Sequence, residues 1–175
     1  MSACSGGVPP EPAESCHNST VRFAIALPIL LAALLAAGAS LGAGDEVRFP
    51  RGTATIATGE RNVVLRVEVA RTDAQRQQGL MNRRTLGRNA GMVFRFPQPT
   101  TSAFWMKNTL IPLDIAFYGP RGGILRIMQM KPCRADPCPL YDPKVTYRGA
   151  LEVNAGSFRR WGVRRGDRIA VTNVG

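Results

Sequence analysis

From Val63 to Val69 an apolar side chain falls on every second residue, with Val64, Arg66 and Glu68 between. That period of two belongs to a strand with one face buried and one exposed, and it cannot wrap a single stripe around a helix. The same short alternation recurs at Met92 to Phe96, Ser102 to Met106, Asp114 to Tyr118, Ile124 to Gln129, Tyr147 to Val153 and Arg168 to Thr172. Gly, Pro and Asn punctuate the gaps, and Gly119-Pro120-Arg121-Gly122-Gly123 has the flexibility of a hairpin connection.

Two short helices interrupt the strands. Thr72 and Gln75 have the spacing of a capping box, with Gly79 as the stop, and Ser157 to Trp161 ends at Gly162. Strands at intervals of about ten residues with two helical turns predict a mainly β domain, all-β or α+β. The expected architecture is a compact antiparallel β-sandwich or barrel. A doubly wound nucleotide-binding sheet is disfavoured, because strands and long helices do not alternate.

The β pattern begins only after an uncharged run. Phe23 to Ala43 holds 21 residues without a charge, with Arg22 before it and Asp45 and Glu46 after. Small residues at Ala37 and Ala39 suit signal-peptide cleavage near Ala39 or Ala43. The length also suits an uncleaved membrane anchor, although Ala, Gly and Ser make its second half weakly apolar. Both readings export the remainder, so a secreted or extracytoplasmic location is expected; a buried core helix is the bland alternative. Residues 1 to 20 are rich in Pro, Ser and Gly and are expected to be an unstructured extension, with Val21 a candidate true start.

Residues 44 to 175 form one expected exported domain, large enough to bury a core without metal. Arg22, Glu11 and Glu14 are the charges of residues 1 to 43, so of 23 basic and 12 acidic residues the domain keeps 22 and 10, a formal net charge of +12. His17 is the chain's single histidine, leaving the domain with none. A Ser/His/Asp triad, a Cys/His pair and a His-ligated metal are thereby excluded from it.

Polar residues concentrate in Trp105, Lys107, Asn108, Thr109 and Asp114. If the flanking strands pair as a hairpin, Lys107 and Asp114 face each other, as a site for a small polar ligand, a proton-transfer pair or a structural ion pair. Glu152 alternates with Leu151 and Val153 and is expected on the opposite face, where a concave surface would bring it towards Lys107. Asn154 reads as a cap for the next turn.

Cys133 and Cys138 bracket a short Pro-stiffened segment. In an exported chain a disulfide is the simplest reading, worth about 2 kcal/mol by loop closure, with free thiols or a metal site as alternatives. No metal and no cofactor are expected. Arginines cluster at Arg83, Arg84 and Arg88, and at Arg159, Arg160, Arg164, Arg165 and Arg168. These suit anionic lipid or wall polymer, or a solvated basic face; nucleic acid is disfavoured because no stacking aromatics interleave.

Gln78-Gly79-Leu80-Met81, Gly91-Met92-Val93-Phe94 with Phe96-Pro97, Phe104 to Asp114, Cys133 with Asp136-Pro137-Cys138, Leu151-Glu152 with Asn154-Ala155-Gly156, and Gly166-Asp167 together resemble the domain of unknown function 192 family, over residues 53 to 173. The resemblance implies a small, often exported prokaryotic protein with a compact β fold and short helices. It implies no reaction. The expected function is a non-catalytic ligand-binding or accessory module of the cell envelope, with a small or polymeric ligand. A histidine-free hydrolase or lyase using Asp114 or Glu152 with Lys107 is the alternative, and a polyanion-binding surface a second.

Overall fold

A computed structural model describes residues 47–172 and 174–175; the extension and the uncharged run lie outside them. Nine strands and two short helices follow in the order β1 (Arg51–Ala57), β2 (Asn62–Ala70), α1 (Asp73–Gln78), β3 (Ala90–Thr100), β4 (Phe104–Trp105), β5 (Leu113–Tyr118), β6 (Ile124–Met130), β7 (Leu140–Tyr141), β8 (Tyr147–Asn154), α2 (Ser157–Trp161) and β9 (Arg168–Thr172). The fold is mainly β. Seven strands make one sheet in the order β6-β5-β8-β3-β2-β1-β9, while β4 and β7 pair separately. Every neighbouring pair of the large sheet is antiparallel except β2 and β3, which are joined through α1 and run parallel.

The sheet curls until its two edge strands meet. Gly123 bridges Arg168, the Ile169 amide donates to the Gly122 carbonyl at 2.8 Å, and the Ile124 amide donates to the Asp167 carbonyl at 2.7 Å. Gly122 sits at φ +82°, and a Cβ there would lie 2.3 Å from the Ile169 carbonyl oxygen, so only glycine permits this closure.

Alternation along each strand divides the core in two. One face of the large sheet contributes Ile56, Leu65, Val67, Val93, Ala116, Leu151, Val153 and Ile169 to the inside of the curl, where Phe158 of α2 joins them. The other face contributes Met92, Phe94, Leu113, Ile115, Phe117 and Ala150, packed with Leu80, Met106 and Cys133 from the loops. β5 is consequently buried at all six positions. A strand covered on both sides needs apolar residues at nearly every position, which is why Asp114 stands out within it.

The capping box forms as the sequence predicts. Thr72 Oγ1 accepts from the Gln75 amide at 3.2 Å, and Gln75 Oε1 accepts from the Thr72 amide at 3.1 Å. Gln75 Nε2 also donates to the Arg48 carbonyl at 2.7 Å, tying the helix to the segment before β1. The disulfide between Cys133 and Cys138 is present.

Candidate functional site

The largest departure from expectation concerns Lys107 and Asp114. β4 pairs with β7, placing Trp105 opposite Leu140, and β5 pairs with β6 and β8. No hairpin joins β4 to β5, so the expected face-to-face pair does not form. Lys107 Nζ instead lies 2.7 Å from Asp136 Oδ2, inside the disulfide ring, and 5.5 Å from the Trp105 ring centroid. Asp114 points into the curl, where its carboxylate accepts from Gln129 Nε2 and from the Phe158 amide, each at 3.4 Å. Local polarity predicted a meeting that long-range strand pairing prevents.

Asn154 also differs from expectation. Its Nδ2 donates to the Leu86 and Gly87 carbonyls at 2.9 and 3.2 Å, stapling the loop before β3, while α2 starts at Gly156 without a side-chain cap. Asn108 has φ +54° and contributes backbone, its carbonyl accepting from the Asn82 amide at 2.8 Å.

Glu152 behaves differently from the rest. It pairs with Met92 of β3 and Ile115 of β5, so its side chain leaves the outer face, opposite to Leu151 and Val153. There the α1 segment and the loop through β4 roof a cavity of about 290 Å³, lined by Leu80, Phe94, Phe96, Phe104, Trp105 and Thr109 with Glu152 among them. Glu152 is 4% exposed, and among the described residues no side chain or amide hydrogen-bonds its carboxyl, whose surroundings act on it by desolvation alone. Burial alone pushes its pKa up to about 8. Among the described residues no fully buried polar side-chain atom lacks a partner, so the Glu152 oxygens keep a trace of access at the cavity; an ionised carboxylate there retains little water and gains no protein donor.

The aromatic wall is continuous. Phe104 stacks edge-on against Phe94 at 5.0 Å and Phe117 at 5.4 Å, and Tyr147 closes on Phe117 at 4.8 Å. Tyr147 donates to the Ser102 carbonyl at 2.7 Å and thereby anchors the loop that carries Phe104. Arg76 at the rim lies 5.3 Å from the Phe96 centroid and is fully engaged: it pairs with Asp73 and donates to the Arg71 and Arg95 carbonyls at 2.6 and 2.9 Å.

The disulfide has a role in this geometry. Cys133 bridges both Lys107 and Thr109, and its amide donates to the Thr109 carbonyl at 3.2 Å. The ring therefore clamps the turn that brings Thr109 to the cavity.

The pattern of cavity, disulfide turn and Phe104–Asp114 segment spans a recognised family profile, DUF192, described as an uncharacterized ACR, which matches residues 54–171. The chain belongs to the DUF192 family. A solved structure from Sinorhizobium meliloti 1021, named as a putative transcription regulator, is 35% identical over 72% of this chain and 97% of its own, with a TM-score of 0.67. Another, a protein of unknown function from Novosphingobium aromaticivorans DSM 12444, is 34% identical over 67% of this chain and 83% of its own, with a TM-score of 0.62. No curated protein matches.

Of the predicted polar set, this DUF192 cavity gathers Trp105, Thr109 and Glu152, and leaves Lys107, Asn108, Asp114 and Asn154 outside. Sequence reasoning missed Leu80, Phe94, Phe96 and Phe104. A usable signal existed: Met92, Phe94 and Phe96 share one face of β3 by alternation.

Proposed function

We propose that this chain is an extracytoplasmic ligand-binding module of the cell envelope whose site is the aromatic cavity around Glu152. One observation carries the reading: a buried carboxyl with no protein partner faces an apolar cavity of about 290 Å³. Pockets that bind small molecules combine apolar walls with a few placed polar groups and a perturbed titratable residue. The uncharged run Phe23 to Ala43 supports export.

The alternative hydrolase set draws no support from the geometry, since Asp114 and Glu152 occupy opposite faces and Lys107 is engaged by Asp136. Transcriptional regulation, proposed for one relative, draws none from helices: α1 and α2 span six and five residues, too short for a recognition helix in a major groove.

A thermal-shift screen of small molecules against the full-length protein tests the reading. Hits that stabilise the wild type and are lost in Trp105→Ala or in Glu152→Gln, with circular dichroism unchanged, support it. Hits indifferent to both substitutions, or none at all, overturn it. Amino-terminal sequencing of the mature protein tests export, with cleavage near Ala39 or Ala43, or an intact anchor in the membrane fraction, expected. Recovery in the cytoplasm overturns that part.

A further inference from the structure

We propose that the cavity takes an organic ammonium ion, its charged head on the Glu152 carboxyl and an apolar body of about ten heavy atoms against Phe94, Phe104 and Trp105. The inference rests on the cavity being the binding site and adds the chemical class of its occupant.

Three ligand classes differ in what they offer Glu152. An anion can accept the carboxyl's proton while Glu152 is neutral, and is repelled once Glu152 ionises. A neutral alcohol supplies one hydrogen bond and no charge. A primary ammonium supplies three donors and the opposite charge in a medium of low dielectric, where the pair is stronger than in water. Its desolvation is the opposing cost, and the aromatic side chains Phe94, Phe104 and Trp105 that line the cavity, the Trp105 ring also meeting Lys107, are the groups suited to offset it. Thr109 Oγ1 points its own proton at the Lys107 carbonyl, 3.4 Å away, and keeps lone pairs for a second ammonium hydrogen.

The protein's own cations do not fill this role. Arg76 is held by Asp73 and two backbone carbonyls, and Lys107 is drawn off by Asp136. Among the described residues that line the cavity, Asp73 and Arg76 of α1 are the other charged groups; β3, β4 and the Thr109 turn contribute none, and Met92 and Ile115 flank Glu152 within the sheet.

Seating the cation transfers one proton from the Glu152 carboxyl to solvent whenever that carboxyl begins protonated. Affinity is then tied to the same ionisation, which burial holds near pH 8.

The test is calorimetric titration of the full-length protein with 2-phenylethylamine, 2-phenylethanol and phenylacetate at pH 6, 7 and 8. The amine is expected to bind at least tenfold more tightly than either analogue at pH 8. Its affinity is expected to rise about tenfold from pH 6 to pH 7 and by a smaller factor, about fivefold, from pH 7 to pH 8, the amine remaining charged throughout. Glu152→Gln should abolish both the preference and the pH dependence while retaining 2-phenylethanol binding. Equal binding of amine and alcohol, preference for phenylacetate, or a flat pH profile overturns the ammonium assignment and leaves the cavity a binding site. Failure of all three probes also overturns it, and an empty thermal-shift screen in addition overturns the binding site itself.

Discussion

Asp114 and Glu152 occupy neighbouring strands, yet their carboxyls leave opposite faces of one sheet: Asp114 is paired with Val153 and Glu152 with Ile115. Asp114 receives two donors inside the curl, and Glu152 receives none outside it. Two buried acids a short distance apart in the ladder thus meet opposite fates: one is held by protein donors, the other faces a cavity without one.

Glu152 should impose a pH dependence on stability. Its folded pKa, about 8, stands above the unfolded value of 4.5, so the folded state holds more protons between those limits. Stability therefore falls as pH rises through that window, by an amount on the order of a few kcal/mol. Thermal melts from pH 5 to pH 8 should show the decline in wild type and a flatter profile in Glu152→Gln. Parallel profiles would contradict an unpartnered buried carboxyl.

Gly91 lies beneath the Glu152 backbone. A Cβ there would stand 2.6 Å from the Glu152 carbonyl oxygen and 3.1 Å from Val153 Cγ1. Gly91→Ala forces β3 and β8 apart and should cost about 1–3 kcal/mol, the usual range for overpacking. Urea denaturation gives the number, and ligand binding at Glu152 should weaken alongside it.

The disulfide and the ion pair inside its ring should differ in worth. Replacing Cys133 and Cys138 together by Ser removes a short covalent loop and should lower stability by about 2 kcal/mol. Asp136→Ala breaks a solvent-exposed pair with Lys107 and should cost less than about 1 kcal/mol. Chemical denaturation of both variants orders the effects, and an equal loss would mean that the ion pair shares the clamping of the Thr109 turn.

Thr72→Ala removes half of the capping box and should cost about 1 kcal/mol. Because α1 supplies the cavity rim, the variant should also bind any Glu152-dependent ligand more weakly. Unchanged affinity in a destabilised protein would separate the helix from the site.

Period-two alternation was enough to place β2, β5, β6, β8 and β9, because a strand's in-and-out pattern is local. The capping box at Thr72 and Gln75 and the stops at Gly79 and Gly162 were legible for the same reason: each concerns groups within four residues of one another. β1 and β7 escaped notice; Arg51–Ala57 mixes Gly and Thr into its pattern, and Leu140–Tyr141 is two residues long.

The face on which Glu152 sits followed from Leu151 and Val153. That the face is roofed did not, since the roof comes from α1 and the β4 loop, far away in the chain. The Lys107–Asp114 pairing failed because it assumed that neighbours in sequence pair in space, whereas β4 found β7 and Lys107 found Asp136. The sequence by itself determined the β class, the two helices, the cysteine ring as a first choice and the absence of histidine chemistry from residues 44 to 175. Only the tertiary structure decided which acid is left without a partner, because desolvation and hydrogen bonding depend on every element that closes over a side chain.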